Sequence, residues 1–322
     1  MVSIDIFNAQ DNFEEQALAL FNFQAQENEV YQKYLNHLKI DPNSIHKVDQ
    51  IPFLPISFFK SSKVLSSKLP IERVFKSSGT GNQRSSHYIQ DSQLYVNSFV
   101  ENFERNYGAL DELCILALLP SYQENPHSSL LFMMDELLTR TSQNGSQYLN
   151  LSPLELQTFL KKANKSKLKT ILIGVSFALL DLAELGSLDL SKLIILETGG
   201  MKGRRKEITR DELHHVLCKQ FNQRQIHSEY GMCELLSQAY SQGEGIFKAP
   251  SWMKVLTRPI QEPYSKMELD KAGIVKIIDL ANVYSCSFIE TEDIGVVSKN
   301  GSFKILGRAD HAQLRGCNLL YV

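Results

Sequence analysis

Three short apolar runs, each followed by a helix-like stretch, constrain the fold of this chain more than any other feature. Residues 114–119 are continuously apolar, as a parallel strand covered on both faces would be. The run breaks at Pro120, and Ser128 is placed to cap a helix over Ser129–Arg140. Residues 170–175 form a second such run and lead into a helical stretch at 177–185. Residues 193–196 form a third, ending at Glu197-Thr198-Gly199-Gly200, after which Thr209 and Glu212 spell a capping box for a helix reaching Phe221. A fourth strand is expected at 225–228, ending at Glu229-Tyr230-Gly231. Strand–helix units in series predict an α/β fold with an open parallel sheet, its working loops at the strands' carboxyl ends.

The flanks read differently. Asn12 followed by Glu15 resembles a capping box, and Phe13, Ala17, Leu20, Phe21, then Tyr31, Tyr34, Leu35 and Leu38 recur at helical spacing. The apolar residues at 51–60 are interrupted by Pro52 and Pro55, which predicts an extended segment packed on the core rather than a helix or central strand. From about 246 the pattern turns to β, with short strands expected at 274–278, 287–290 and 296–298 and a hairpin signal at Asn300-Gly301. The expected organisation is therefore a helical N-terminus and α/β core over 1–245, a β-rich subdomain of the same domain over 246–306, and a C-terminal tail over 307–322.

Composition excludes several classes of function. With 34 basic against 36 acidic residues the net charge is −2, which argues against nucleic acid or an anionic membrane as the main partner. No stretch approaches membrane-spanning length, and no early segment reads as a secretion signal. The five cysteines, Cys114, Cys218, Cys233, Cys286 and Cys317, are scattered without a C-x-x-C pair, so reduced thiols in a cytoplasm are expected.

One loop carries the clearest chemistry. Lys76-Ser77-Ser78-Gly79-Thr80-Gly81-Asn82-Gln83-Arg84-Ser85 sits between two candidate strands. Gly79 and Gly81 permit turns that aim backbone N–H groups at one point, the hydroxyls add donors, and Lys76 and Arg84 add positive charge. Such a concavity suits a polyphosphate, although a flexible polar turn would look similar. It is no P-loop, because the Gly-Lys-Ser/Thr ending and the following helix are missing.

Four stretches in order resemble the adenylate-forming ligase superfamily: Ser77-Ser78-Gly79-Thr80-Gly81, Tyr230-Gly231-Met232-Cys233-Glu234, Thr291-Glu292-Asp293-Ile294-Gly295, and Gly307-Arg308-Ala309-Asp310 followed by Arg315-Gly316. Within it, Ile51-Pro52-Phe53-Leu54-Pro55-Ile56-Ser57-Phe58-Phe59-Lys60, His227-Ser228-Glu229-Tyr230-Gly231-Met232 and Arg315-Gly316-Cys317 resemble the acyl-protein synthetase (LuxE-type) family. The phosphate loop departs from the superfamily pattern in reading Thr80-Gly81-Asn82 where Thr-Thr-Gly is usual, and, as in that family, the superfamily's mobile C-terminal domain is expected to be absent.

The resemblance implies an N-terminal-type adenylate-forming domain of parallel βα sheets with a small β-rich subdomain. Its expected activity is ATP- and Mg²⁺-dependent conversion of a carboxylic acid, a long-chain fatty acid in this family, to acyl-AMP, then transfer to a protein thiol. It implies that Ser77, Ser78, Gly79, Thr80 and Gly81 hold the β- and γ-phosphates, and that Glu234 ligates Mg²⁺, unless it is an ordinary helix-start glutamate. Gly199 and Gly200 would let adenine lie flat, with Tyr230 on the other face and Gly231 beside it. Asp293 would bind the ribose hydroxyls, or else be a turn residue before Gly295. Arg308 would reach the ribose or α-phosphate, or form a surface ion pair. Cys317, five residues from the end of the sequence, would carry the acyl group, or be a spare thiol. An acyl reductase or carrier protein is the implied partner; a coenzyme-A ligase of phenylacetate type and a non-catalytic reductase subunit are the alternatives. Among other candidates, His214 and His215 suit a solvated helix face better than a metal site, His127 sits in a strand-end loop that can line a pocket, Cys114 reads as core, and Cys233 as pocket-lining without being reactive.

Overall fold

The computed structural model describes residues 6–9, 12–78, 84–119, 125–200, 208–261 and 269–309. The chain forms two compact units: Met1–Arg73 with Ser85–Asp91 and Lys248–Val322, and Val74–Arg84 with Ser92–Phe247. Residues 1–73 thus cluster with the β-rich segment that follows residue 247, while 92–247 form the body of the other unit.

The first unit begins with helices α1 (Phe13–Glu27) and α2 (Glu29–His37). Asn12 precedes α1 as expected, but its side chain caps no backbone N–H; it accepts from Gln16 Nε2 at 2.8 Å, so the capping box with Glu15 does not form. The twice-interrupted segment is extended only at β1 (Leu54–Pro55), and Phe58–Ser61 turn into a short helix, α3. Strands β2 (Arg73–Lys76) and β3 (Ser86–Ile89) flank the Ser/Gly stretch, as its sequence context implies.

The second unit holds the parallel sheet. Helix α4 (Ser92–Tyr107) buries Tyr95, Phe99, Phe103 and Tyr107, spaced four apart on one stripe. Next come β4 (Leu113–Leu118), α5 (Ser129–Arg140, capped by Ser128), β5 (Gln147–Tyr148) and α6 (Pro153–Ala163). They are followed by β6 (Lys169–Val175), α7 (Ser176–Glu184), β7 (Ile194–Thr198), α8 (Arg210–Phe221), β8 (His227–Tyr230) and β9 (Ala239–Ser241). The expected Thr209–Glu212 capping box is formed on α8. Strands run in the order β5-β4-β6-β7-β8, all parallel, with β9 antiparallel on β8. One face of this sheet is sealed by an aliphatic core in which Leu160, Leu179, Leu213 and Leu217 meet Leu172 and Ile195. The other packs aromatics: Phe75, Tyr95, Phe99 and Phe132 lie within 6.4 Å of one another, centre to centre, in the contacts they make.

After β10 (Phe247–Lys248), the chain completes the first unit with β11 (Met253–Arg258), β12 (Ala272–Asp279), β13 (Phe288–Val297) and β14 (Phe303–Arg308). These form an antiparallel meander, and β1 pairs parallel with β13 through Leu54 and Ile289. The strands expected at 287–290 and 296–298 are therefore one, carried through Thr291–Gly295 by a register shift between Ile294 and Gly295. A Cβ on Gly295 would lie 2.6 Å from Lys304 O, so glycine is required by the tight strand pairing. The Asn300-Gly301 hairpin forms between β13 and β14, Ser298 N donating to Ser302 O at 2.8 Å. Among the described residues no helix is long and apolar enough to cross a membrane.

Candidate functional site

The carboxyl ends of β4, β6, β7 and β8 line up in the second unit, and the chain leaves each into a loop. Ligands of open α/β sheets bind outside such ends. Ile171 pairs with Ile194, and Glu197 with Ser228, so Thr198-Gly199-Gly200 and Tyr230-Gly231 emerge side by side. Gly199 has φ +67°, a left-handed turn that favours glycine, and Gly200 is exposed with open space around its α-carbon. The Tyr230 ring is buried and packs 5.9 Å from Phe247. The start of the Ser/Gly stretch is tied to the loop that follows β4: Lys76 N donates to His127 O at 2.8 Å, and His127 Nδ1 lies 3.0 Å from Val74 O. His127 thus anchors the entrance to Ser77 and Ser78; Gly79, Thr80 and Gly81 lie outside the described residues.

Two carboxylates lie beneath these ends. Glu197 is buried, accepts from Ser176 Oγ at 3.1 Å and Arg210 Nε at 3.2 Å, and stands 3.6 Å from His214 Nε2. Burial pushes its pKa up, but the His214 hydrogen bond, the Arg210 charge and Ser228 outweigh that and hold the carboxyl below the ordinary glutamate value. Helix α8 therefore turns His214 inward, contrary to the expected solvated face, while His215 stays exposed. Ser228 Oγ also meets His214 Nε2, at 3.2 Å, but the serine is fully buried and shares that nitrogen with Glu197. A nucleophilic relay needs opposite ring nitrogens and an exposed hydroxyl, so this is a structural knot.

Glu229 differs. Among the described residues its carboxylate has one hydrogen-bond donor, the Thr198 hydroxyl on Oε2. Burial, opposed by that hydrogen bond and reinforced by the Glu197 charge, pushes its carboxyl up to about 7. Gly231 leaves room here: a Cβ would lie 2.5 Å from Glu229 Oε1 and 3.3 Å from Gln238 Cγ, so one of those side chains would have to shift. Nothing in the motif spelling drew attention to Glu229, although a carboxylate within a strand, just before Tyr-Gly, was a usable signal. Tyr107 and Tyr240, also missed, surround it; the i, i+4 aromatic stripe of α4 would have found the first.

Glu234 is buried in a turn after β8, not at a helix start. It hydrogen-bonds the Cys233 thiol, which burial first and then the adjacent carboxylate hold well above its ordinary pKa. Among the described residues no group of three or more His, Cys, Asp or Glu side chains converges as a metal site. A Mg²⁺ ion here would thus take one protein carboxylate and otherwise phosphate and water oxygens, a donor set that suits it. Asp293 and Arg308 belong to the other unit. Asp293 lies inside β13 rather than in a turn, and Arg308 on β14 bonds Glu292 Oε2 at 2.8 Å with its Nε 3.7 Å from Asp293 Oδ1. The Arg308 side chain is 70% exposed and takes part in this surface ion pair. The four described cysteines are free; burial raises the pKa of each, so none is a ready nucleophile. Cys114 is only partly buried, short of the core position expected. Cys317 lies outside the described residues.

Comparison with known proteins places this architecture. Residues 7–106 match the acyl-protein synthetase family, LuxE. That span contains the 51–60 segment and the Ser/Gly stretch; the His227–Met232 and Arg315–Cys317 likenesses fall outside it. No match is found among curated proteins. Among solved structures, the chain resembles ATP-bound MatB from Rhodopseudomonas palustris, with TM-score 0.56 and 14% identity over 74% of this chain and 48% of that one. It also resembles 2-hydroxyisobutyryl-CoA ligase in complex with 2-HIB-AMP and CoA, with TM-score 0.64 and 9% identity over 94% of this chain and 70% of that one. The fold is that of the adenylate-forming ligases, as expected, and the chain spans about half the length of the MatB structure (48%).

Proposed function

We propose that this chain is an acid–thiol ligase that activates a carboxylic acid with ATP and passes the acyl group to a protein thiol. The observation that carries the reading is a LuxE family match on an adenylate-forming fold whose adjacent strand ends present Gly199-Gly200 and Tyr230-Gly231. By family likeness the acid is a fatty acid, the partner an acyl reductase or carrier protein, and the setting cytoplasmic.

In the first step a carboxylate oxygen attacks the α-phosphorus, the bond to the β-phosphate oxygen breaks, and pyrophosphate leaves. The acid is already ionised at neutral pH, so no base is needed and the protein's task is positioning and charge neutralisation. Ser77, Ser78, Gly79, Thr80 and Gly81 donate to the β- and γ-phosphates. Gly199, Gly200, Tyr230 and Gly231 seat adenine, and Asp293 accepts from the ribose hydroxyls. Arg308 leaves its ion pair for the ribose or α-phosphate, and Glu234 holds Mg²⁺, which would offset phosphate charge. In the second step the Cys317 thiolate attacks the acyl carbonyl carbon and AMP leaves, giving a thioester that remains reactive.

ATP–pyrophosphate exchange, followed by labelling with radioactive acid and treatment with neutral hydroxylamine, tests this. Wild type exchanges and holds a hydroxylamine-labile acyl group. Ser78→Ala weakens ATP use by about 1–3 kcal/mol, the cost of one hydrogen bond to a charged group. Glu234→Gln raises the Mg²⁺ concentration for half-maximal exchange. Cys317→Ser keeps exchange and loses the label. No exchange with any acid overturns the activation step; exchange without a protein label moves the acceptor to a free thiol such as coenzyme A.

A further inference from the structure

The side of β8 that faces α4 is rich in hydrogen-bonding capacity that the other described residues leave unused. Alternation along β8 sets His227 and Glu229 on one face and Ser228 and Tyr230 on the other. On the first face Tyr107 of α4 packs 5.8 Å from the His227 ring and 5.5 Å from the Tyr240 ring, and Tyr240 is the cross-strand partner of Glu229. The Tyr107 and Tyr240 hydroxyls, Gln238 Oε1 and His227 Nδ1 are all buried without a hydrogen-bond partner among the described residues. Tyr107, Tyr240 and Gln238 are 1%, 2% and 4% exposed. Glu229, with the Thr198 hydroxyl as its one donor, stands among them: its charge acts on both phenols, and its Oε1 and Gln238 Cγ flank Gly231.

Buried polar atoms are normally satisfied, and each exception calls for an explanation. Here four occur together around a carboxylate with a single donor. On the opposite face of the sheet, at the end of the neighbouring strand β7, the buried carboxylate is better supplied: Glu197 there is held by Ser176 and Arg210. A plain alkyl chain set against this group would leave every one of its atoms unpaired, which is a strong basis for discrimination. Glu229 and Gln238 offer acceptor oxygens, and phenols donate or accept, so the complementary group is a donor.

We propose that Glu229, Tyr107, Tyr240 and Gln238 form a subsite that reads a hydrogen-bond donor, a hydroxyl or an amine, on the acyl part of the acid, making the substrate a fatty acid that carries such a polar group and not an unsubstituted one. The proposal rests on the activation reading for the position of the acid, beside the nucleotide at the carboxyl ends of β7 and β8.

The test is ATP–pyrophosphate exchange by the full chain with acids of matched length, unsubstituted or carrying one hydroxyl or one amino group at successive positions. Wild type prefers one substituted acid over its unsubstituted counterpart by roughly 10–100-fold in kcat/KM, the scale of a paired against an unpaired buried polar group. Tyr240→Phe and Glu229→Gln, isosteric changes checked by thermal unfolding, each shrink that ratio about tenfold, and Glu229→Gln cuts an amine more than a hydroxyl. A preference for unsubstituted acids, or a ratio unmoved in both variants, overturns the proposal and leaves activation standing. If no acid supports exchange, activation falls, and calorimetric binding of the same acids decides the subsite alone: tighter binding of a substituted acid that both variants weaken supports it, and any other result overturns it.

Discussion

Glu197 and Glu229 end neighbouring parallel strands on opposite sides of one sheet, yet their surroundings push them apart. Glu197 is closed off by Ser176, Arg210 and His214 and held below the ordinary glutamate pKa; Glu229 has one hydroxyl and is raised to about 7. A buried carboxylate whose lone pairs are filled locks α8 to the sheet. One left short of donors keeps capacity for something that arrives later. The contrast separates an anchor from a recognition group where residue type and burial alone do not.

The largest effect expected from breaking this contrast is on the anchor. Arg210→Met leaves Glu197 buried without its guanidinium, and the Arg210 group over Phe247 is lost as well. Chemical denaturation at pH 7 should show a loss of about 3 kcal/mol; a loss near zero would make Glu197 no anchor. Next, Gly231→Ala drives a Cβ against the Glu229 carboxylate. It should destabilise by about 1–3 kcal/mol, and the double variant Gly231→Ala/Glu229→Ala should recover most of that, whereas additive losses would place the strain in the backbone.

The pH dependence is smaller and of opposite sign for the two groups. Folded Glu229 keeps its proton to about 7, above the ordinary glutamate value of 4.5, so its stabilisation is full below 4.5 and is lost as pH rises through 7. Glu197, with a depressed pKa, contributes above its unfolded value and loses that as pH falls. Denaturation midpoints between pH 4.5 and 7.5 should flatten in Glu229→Gln; an unchanged slope would show that the group does not titrate there. The smallest effect belongs to Tyr240→Phe, which removes a hydroxyl that has no partner among the described residues. Stability should move by no more than about 0.5 kcal/mol, or rise, and a loss above 1 kcal/mol would reveal a partner.

What the sequence disclosed follows the range of the forces involved. The parallel strands, the Ser128 cap and the Thr209–Glu212 box are local patterns and form as read. Long-range contacts are not local. Gln24 of α1 donates to Asn282 O and Val283 O and accepts from Ser287 N, which binds the N-terminal helices to the β meander and explains why 1–73 cluster there. Asn12 fails as a cap because Gln16 takes its side chain. The Thr291–Gly295 stretch looks like a turn by composition, but pairing on both sides holds it in a strand. At the candidate site, Tyr230-Gly231 stand out in the sequence as motif and Gly199-Gly200 as a glycine pair after a strand; the burial of His214 and the shortage of donors at Glu229 depend on which helix covers which face.

Central to all of this is the formation of an acyl-adenylate. A single turnover of the full chain with ATP, Mg²⁺ and the best acid of the panel, quenched in acid and resolved by mass spectrometry, tests it directly. The account predicts acyl-AMP and pyrophosphate in equal amounts, up to one per chain, at times too short for the thioester to accumulate. ATP cleaved to ADP and phosphate, or a covalent acyl group formed with no acyl-AMP before it, would contradict the account.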